Sequence, residues 1–162
     1  MTRIRVTTVI MGLCVALAAS PAWAESSPFV GRWHWNRAQS TLPPGEPSPN
    51  DVVSEISRAD GNSVTWSVTI VTPDDQAHVV TLEAGADGES HRISSDTTAS
   101  VRLIGGALQT TFKGPAGRSD VQTCTVSADH RKMTCKGVVT DGAGHTASYV
   151  DVYDRDVRGE QR

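Results

Sequence analysis

Cys124 and Cys135 are the first candidates for chemistry in this chain, because two thiols can bridge, shuttle electrons or help to hold a metal. The segment between them carries His130, but there is no C-x-x-C and no further thiol nearby, so a redox or metal pair is the weaker reading. Register favours a bridge. If Ser127 pairs with Lys132 across the polar turn 128–131, Val126 meets Met133 and Cys124 lands opposite Cys135. Directly opposed residues lie ~4.5 to 5.5 Å apart at Cα, a spacing that a disulfide accepts. Closing so short a loop is worth about 3 kcal/mol by the chain-entropy estimate.

The other reactive side chains form no constellation. His34, His78, His91, His130 and His145 are scattered without H-x-H or H-E-x-x-H spacing, which reads as surface histidines and no metal site. Asp74, Asp75, Asp87, Asp129 and Asp141 fall in turn segments, where aspartate is favoured because its carboxylate bonds the nearby backbone. There is no G-x-S-x-G, and the glycines of 114–117 suit a hairpin turn rather than a phosphate cradle. The expectation is therefore no catalytic residue, no cofactor and no enzyme. What is left is a set of large rings, Trp33, Trp35, Trp66 and Phe112, whose meaning depends on the elements that carry them.

Those elements read as strands. From Phe29 the odd positions Phe29, Gly31, Trp33 and Trp35 alternate with Val30, Arg32, His34 and Asn36, a period of two with the aromatic face inward. Residues 37–50 follow, where Pro43, Pro44, Gly45, Pro47 and Pro49 exclude helix and central strand and predict a long loop. Residues 51–57 fit a strand or a helical turn, and we read a strand. Asp60-Gly61-Asn62 turns the chain into a clean alternation, Val64, Trp66, Val68 and Ile70 against Ser63, Thr65, Ser67 and Thr69. Strands are also expected over 78–83, 100–104, 107–113, 120–127, 132–140 and 145–154. Gly105-Gly106 forms a two-residue hairpin that sets Leu103 opposite Leu108. In the last strand Tyr149 and Tyr153 share a face with Ala147 and Asp151, as half-buried residues or as a rim. Eight to ten short antiparallel strands in chain order make an all-β meander, closed as a barrel or folded as a sandwich. In either, Trp33, Trp35 and Trp66 point inward and fill a core; in a barrel they can, with Phe112, line a cavity for an apolar ligand instead.

The N-terminus predicts a compartment. Arg3 and Arg5 precede an apolar run over 9–19 and then Pro21-Ala22-Trp23-Ala24, small residues flanking one bulky position, the pattern of a secretion signal cut after Ala24. The run is shorter than the ~20 residues a membrane helix needs, no later segment approaches that length, and Cys14 sits inside the run rather than at a lipidation site. Residues 1–24 are thus expected to leave, 25–156 to fold as one domain, and 157–162 to fray. The product is expected to be a periplasmic or secreted monomer, in a compartment where a cysteine pair oxidises. The formal net charge is −3 before the two leader arginines are lost, and the chain has no basic run, which argues against a nucleic-acid partner.

Gly31-Arg32-Trp33 with Asn36, Ala38 and Ser40, followed by the proline-rich loop, resembles the G-x-W-x-x-N-x-A-x-S opening of a family of uncharacterised secreted bacterial proteins with lipocalin-like β folds. Ser127, Asp129, Met133-Thr134, Asp141, Gly144 and Val152-Tyr153-Asp154 agree at the far end, so the likeness spans nearly the whole mature chain, most weakly over 82–118. Gly31-x-Trp33 is also similar to the first-strand signature of true lipocalins, in which the tryptophan plugs one barrel end beneath an arginine from the end of the chain. Arg155 or Arg158 would be that arginine here. The resemblance implies a lipocalin-like barrel, with the sandwich as the alternative, and leaves the ligand open. The function expected is binding of a small apolar or amphipathic molecule in the barrel. The alternative is an envelope structural or protein-interaction domain with a solid core; isomerase or hydrolase chemistry is a residual case, since a fold by itself supplies no catalytic residues.

Overall fold

The computed structural model describes residues 27–45 and 47–157. The leader 1–24 with its cleavage after Ala24, Arg158 and the tail beyond Val157 lie outside the described residues.

Ten strands form one antiparallel sheet: β1 (Gly31–Trp35), β2 (Asp51–Ala59), β3 (Ser63–Val71), β4 (Ala77–Gly85), β5 (His91–Arg92), β6 (Thr98–Ile104), β7 (Ala107–Lys113), β8 (Ser119–Val126), β9 (Lys132–Thr140) and β10 (Thr146–Arg155). Their order in the sheet is β4-β3-β2-β1-β10-β9-β8-β7-β6-β5, so every pairing but one joins neighbours in the chain. The exception is β1 on β10, with Trp33 opposite Arg155 and Trp35 opposite Tyr153. The sheet curls into a nearly closed barrel of lipocalin-like type. Its free edges meet only near one end, where the Gly88 amide donates to the Val101 carbonyl at 2.9 Å and Asp87 bridges to Arg102.

The alternating pattern sets which side chains face inward. Val64 and Trp66 of β3, Leu82 and Ala84 of β4, Leu108 of β7, Cys124 of β8 and Met133 and Cys135 of β9 form one buried cluster. The ambiguous segment 51–57 is strand, Val52, Ser54 and Ile56 being buried, because period two sends all three to the side on which Trp66 packs. Gly105 and Gly106 both take positive φ (57° and 76°), which a two-residue hairpin requires, and Leu103 does oppose Leu108. Three features differ from the sequence expectation. Residues Arg37–Gln39, inside the segment expected to exclude helix, form a single 3-10 turn ahead of the prolines. Phe29 is not in a strand but in a turn closed by the Val30 amide on the Ser27 carbonyl, although its ring is buried. The two-residue β5 was not anticipated, being too short for any period to register.

The proline-rich segment is a loop fastened along β10. Asn36 Oδ1 accepts from the Gln39 amide (3.2 Å) and Asn36 Nδ2 donates to Asp154 (2.7 Å). Ser40 Oγ donates to the Asn36 carbonyl (2.9 Å) and accepts from the Val152 amide (3.0 Å), and Thr41 and Val150 exchange backbone bonds. The asparagine and serine of the opening motif thus hold the loop where β1 stops pairing with β10.

Candidate functional site

The interior is packed at one end and open at the other. At the packed end Trp33 is fully buried and its indole Nε1 donates to the Phe29 carbonyl at 2.9 Å. Arg155 covers it, with its guanidinium carbon 4.2 Å from the ring centroid, and donates to the carbonyls of Val30 (2.8 Å), Pro28 (2.5 Å) and His130 (2.6 Å). A planar cation can stack on an indole and satisfy three carbonyls together; a lysine could not do both. Next to this plug lies the Cys124–Cys135 disulfide, across β8 and β9 in the expected register, with its two Cα atoms 3.9 Å apart. The Ser127 amide bonds the Lys132 carbonyl, so by alternation Cys124 and Cys135 occupy a close, non-hydrogen-bonded pair.

Toward the other end the filling thins. A cavity of about 280 Å³ is lined by Trp66, Val68, Ile70, Val80, Leu82 and Phe112, and by three polar side chains, Asp120, Gln122 and Tyr153. A further recess of about 290 Å³ among the turns at this end shares Phe112 and Asp120 with it. The apolar wall comes from the inward faces of β3, β4 and β7; the polar wall comes from β8 and β10.

Of the four rings singled out in the sequence, Trp66 and Phe112 line the cavity. Trp33 belongs to the plug beneath Arg155, since the arginine spends its carbonyl partners at that end. Trp35 is buried outside the cavity wall, its Nε1 donating to Asp151 at 2.9 Å. Trp66 is itself held by a bond from its Nε1 to the buried Ser54 hydroxyl (2.6 Å).

The polar wall was not found from the sequence. Tyr149 and Tyr153 are not rim residues: both are buried, on the inward face of β10. Tyr149 reaches across β9 to donate to both Asp120 oxygens at 2.9 and 3.0 Å. It can do so because Gly137 lies beneath its ring, where any Cβ would overlap the ring and hydroxyl. Burial, and then the Asp120 carboxylate, push the Tyr149 phenol well above its ordinary range; burial followed by Asp151 and Asp120 does the same for Tyr153. Burial also raises the Asp151 carboxyl, against the opposing pull of the Trp35 bond. The one sequence signal was the Tyr-x-Asp-x-Tyr alternation of β10, which marks a shared face without saying which way that face points.

The remaining acids and histidines face outward. Asp87, Asp129 and Asp141 are held below the usual carboxylate range, chiefly by side-chain bonds from His91, Ser127 and His145 respectively, with backbone amides adding to the effect. His34 pairs with Asp156 at 3.1 Å, away from the cavity. Among the described residues no group of three or more His, Cys, Asp or Glu side chains is placed to hold a metal ion, and no helix is long and apolar enough to cross a membrane.

No protein-family model and no curated protein matches the chain. Solved structures do. A variant of the fluorescent protein UnaG superposes with a TM-score of 0.56 at 19% identity, over 80% of this chain and 97% of that one. Wild-type UnaG gives 0.54 at 19%, over 79% and 97%. A variant of the REP1-NXSQ fatty acid transporter gives 0.51 at 14%, over 81% of this chain and all of that one. At these identities the likeness carries the fold: a lipocalin-like barrel.

Proposed function

We propose that this protein is an exported carrier or scavenger that holds a small apolar or amphipathic molecule in its barrel. The observation that carries the reading is the cavity of about 280 Å³ with an aromatic and aliphatic wall and a few polar groups on one side. Small-molecule sites have that composition, and a cavity of roughly 150 Å³ already accepts benzene, so the space suits a molecule somewhat larger than one ring. The solid-core alternative would need this space filled. That a fold neighbour is described as a fatty acid transporter is consistent with a ligand inside such a barrel.

Export is part of the same proposal. It is supported by the charged, apolar and small-residue succession of 1–24 and by a disulfide that an oxidising compartment would maintain. We read the role as binding without turnover: the carboxylates near the cavity are engaged by Tyr149 and Trp35, and no histidine lines it.

Native mass spectrometry of the protein purified from its own periplasm or medium, followed by extraction, tests the reading together with uptake of an environment-sensitive apolar dye. A stoichiometric small molecule, or dye fluorescence that saturates at one site, is the expected result. A bare protein that takes up no dye would overturn it and direct the search to protein partners.

A further inference from the structure

Nearly every buried ring that carries a polar atom has a partner for it. Trp33 Nε1 donates to the Phe29 carbonyl, Trp35 Nε1 to Asp151, Trp66 Nε1 to Ser54 and the Tyr149 hydroxyl to Asp120. Tyr153 is the exception. It is 7% exposed, lines the cavity, and has no hydrogen-bond partner among the described residues. Gln122 is 8% exposed and lines the cavity too. The close polar neighbour of its carboxamide is Cys124 Sγ at 3.8 Å, which as a disulfide sulfur has no proton to donate. Asp120, the third polar residue of the wall, is already engaged.

Burying a polar group without a bond is costly, and phenylalanine and methionine would fill the same volumes without that cost. A cavity that needed only apolar walls would be better built without Gln122 and Tyr153, so both read as places kept for the polar atoms of a guest. Both are neutral groups. Burial above all holds the Tyr153 phenol well above its ordinary range, so it keeps its proton and can donate. The Gln122 carboxamide offers a donor nitrogen and an acceptor oxygen. A ligand hydroxyl uses both kinds of group at once, accepting from the phenol and donating to the carboxamide oxygen, whereas a ligand carbonyl or ether can only accept.

Building on the ligand-carrier reading above, we infer that Gln122 and Tyr153 form the head-group site of the cavity and select a molecule whose polar end is a hydroxyl, an alcohol or a phenol. They stand on β8 and β10, and the apolar wall of Trp66, Val68, Ile70, Leu82 and Phe112 takes the rest of the molecule.

The test is titration of the full mature protein with 2-naphthol and with 2-methylnaphthalene, which has nearly the same shape with a methyl group in place of the hydroxyl, read by displacement of a bound apolar dye. The expected result is 2-naphthol binding at least about fivefold tighter, the scale of one or two net hydrogen bonds, although it is the better hydrated of the two in water. Tyr153→Phe and Gln122→Met each remove one bonding group at similar volume, and each should lower the affinity ratio of the two probes by about twofold or more. The double variant should bring it to about one. A residue that served only to shape the cavity would change both affinities together and leave the ratio as it was. The two substitutions lie on different strands, so either one decides if the other variant does not fold. Equal affinities in the wild-type protein, or a ratio that no variant moves, overturn the head-group assignment and leave the carrier reading standing. Failure of both probes and of the dye overturns both.

Discussion

At the scale of single residues, two side chains of β10 make contrary contributions to stability. Arg155 ties three carbonyls to the Trp33 ring. Hydrogen bonds to a charged donor are worth about 1.5 to 3 kcal/mol each, less where solvent reaches them, so Arg155→Met should cost roughly 2 to 4 kcal/mol in urea denaturation. Arg155→Lys should recover only a minor part. A variant as stable as wild type would mean that the plug does not depend on its cover. Asp151 acts the other way. Its carboxyl is raised in the folded protein by burial, so the folded state binds its proton more tightly than the unfolded chain does. That makes Asp151 destabilising once the pH exceeds the folded value and neutral below the ordinary carboxylate range. Asp151→Asn keeps an acceptor for Trp35 Nε1, so it should raise Tm at pH 7 and leave it unchanged near pH 3. A lower Tm at pH 7 would contradict the sign. The two residues were unequally legible. The G-x-W resemblance pointed to an arginine near the chain end, whereas no local pattern links Tyr149 to Asp120, 29 residues earlier and two strands away.

At the scale of elements, period-two alternation was enough to place most strands, because a strand buried on one face writes that face into every second residue. The disulfide register was legible for the same reason: the polar turn 128–131 fixes Ser127 on Lys132, and each step back along β8 and β9 pairs the next residues. What the alternation could not say is which face of a mixed strand turns inward. In β10 the even residue Val152 is buried too, beneath the loop that Asn36 and Ser40 fasten, so both faces look partly apolar. The same elements bound the effect of reduction. Cys124 and Cys135 join strands already paired along their length, so the bridge stabilises mainly by restricting the unfolded chain, by about 3 kcal/mol at most. Reduction with denaturant and refolding should lower Tm and leave the far-ultraviolet signature of the sheet in place. Since both cysteines are fully buried, reductant alone should act slowly on the folded protein. Two thiols titrating in native, unreduced protein would refute the bridge.

At the scale of the whole molecule, the barrel is zipped from one end only, and this decides how a ligand reaches the cavity. The edges meet through Gly88 and Val101, where Gly88 has a positive φ of 79° that a residue with a side chain would hold only under strain, so a larger residue there would weaken the closure. Toward the turns at the open end, β4 pairs only with β3, and Val80 lines the cavity while remaining 50% exposed. The direction of each amide on that edge follows from two bonds. The Thr72 amide donates to the Gln76 carbonyl and the Ala86 amide to the Asn62 carbonyl, so the hydrogen-bonded pairs between β3 and β4 are Ile70–His78, Val68–Val80, Trp66–Leu82 and Val64–Ala84. The amides of Val79 and Thr81 therefore point away from β3 into the gap. Native-state hydrogen exchange should show Val79 and Thr81 with almost no protection, Val80 and Leu82 clearly protected, and the β8–β9 amides around the disulfide the slowest of all. That alternation along one strand distinguishes an open edge from a frayed one, which would lose protection at every residue. If Val79 and Thr81 exchange as slowly as Val80, the edge is sealed in solution, and a ligand must enter through the turns beside Phe112 and Asp120 instead.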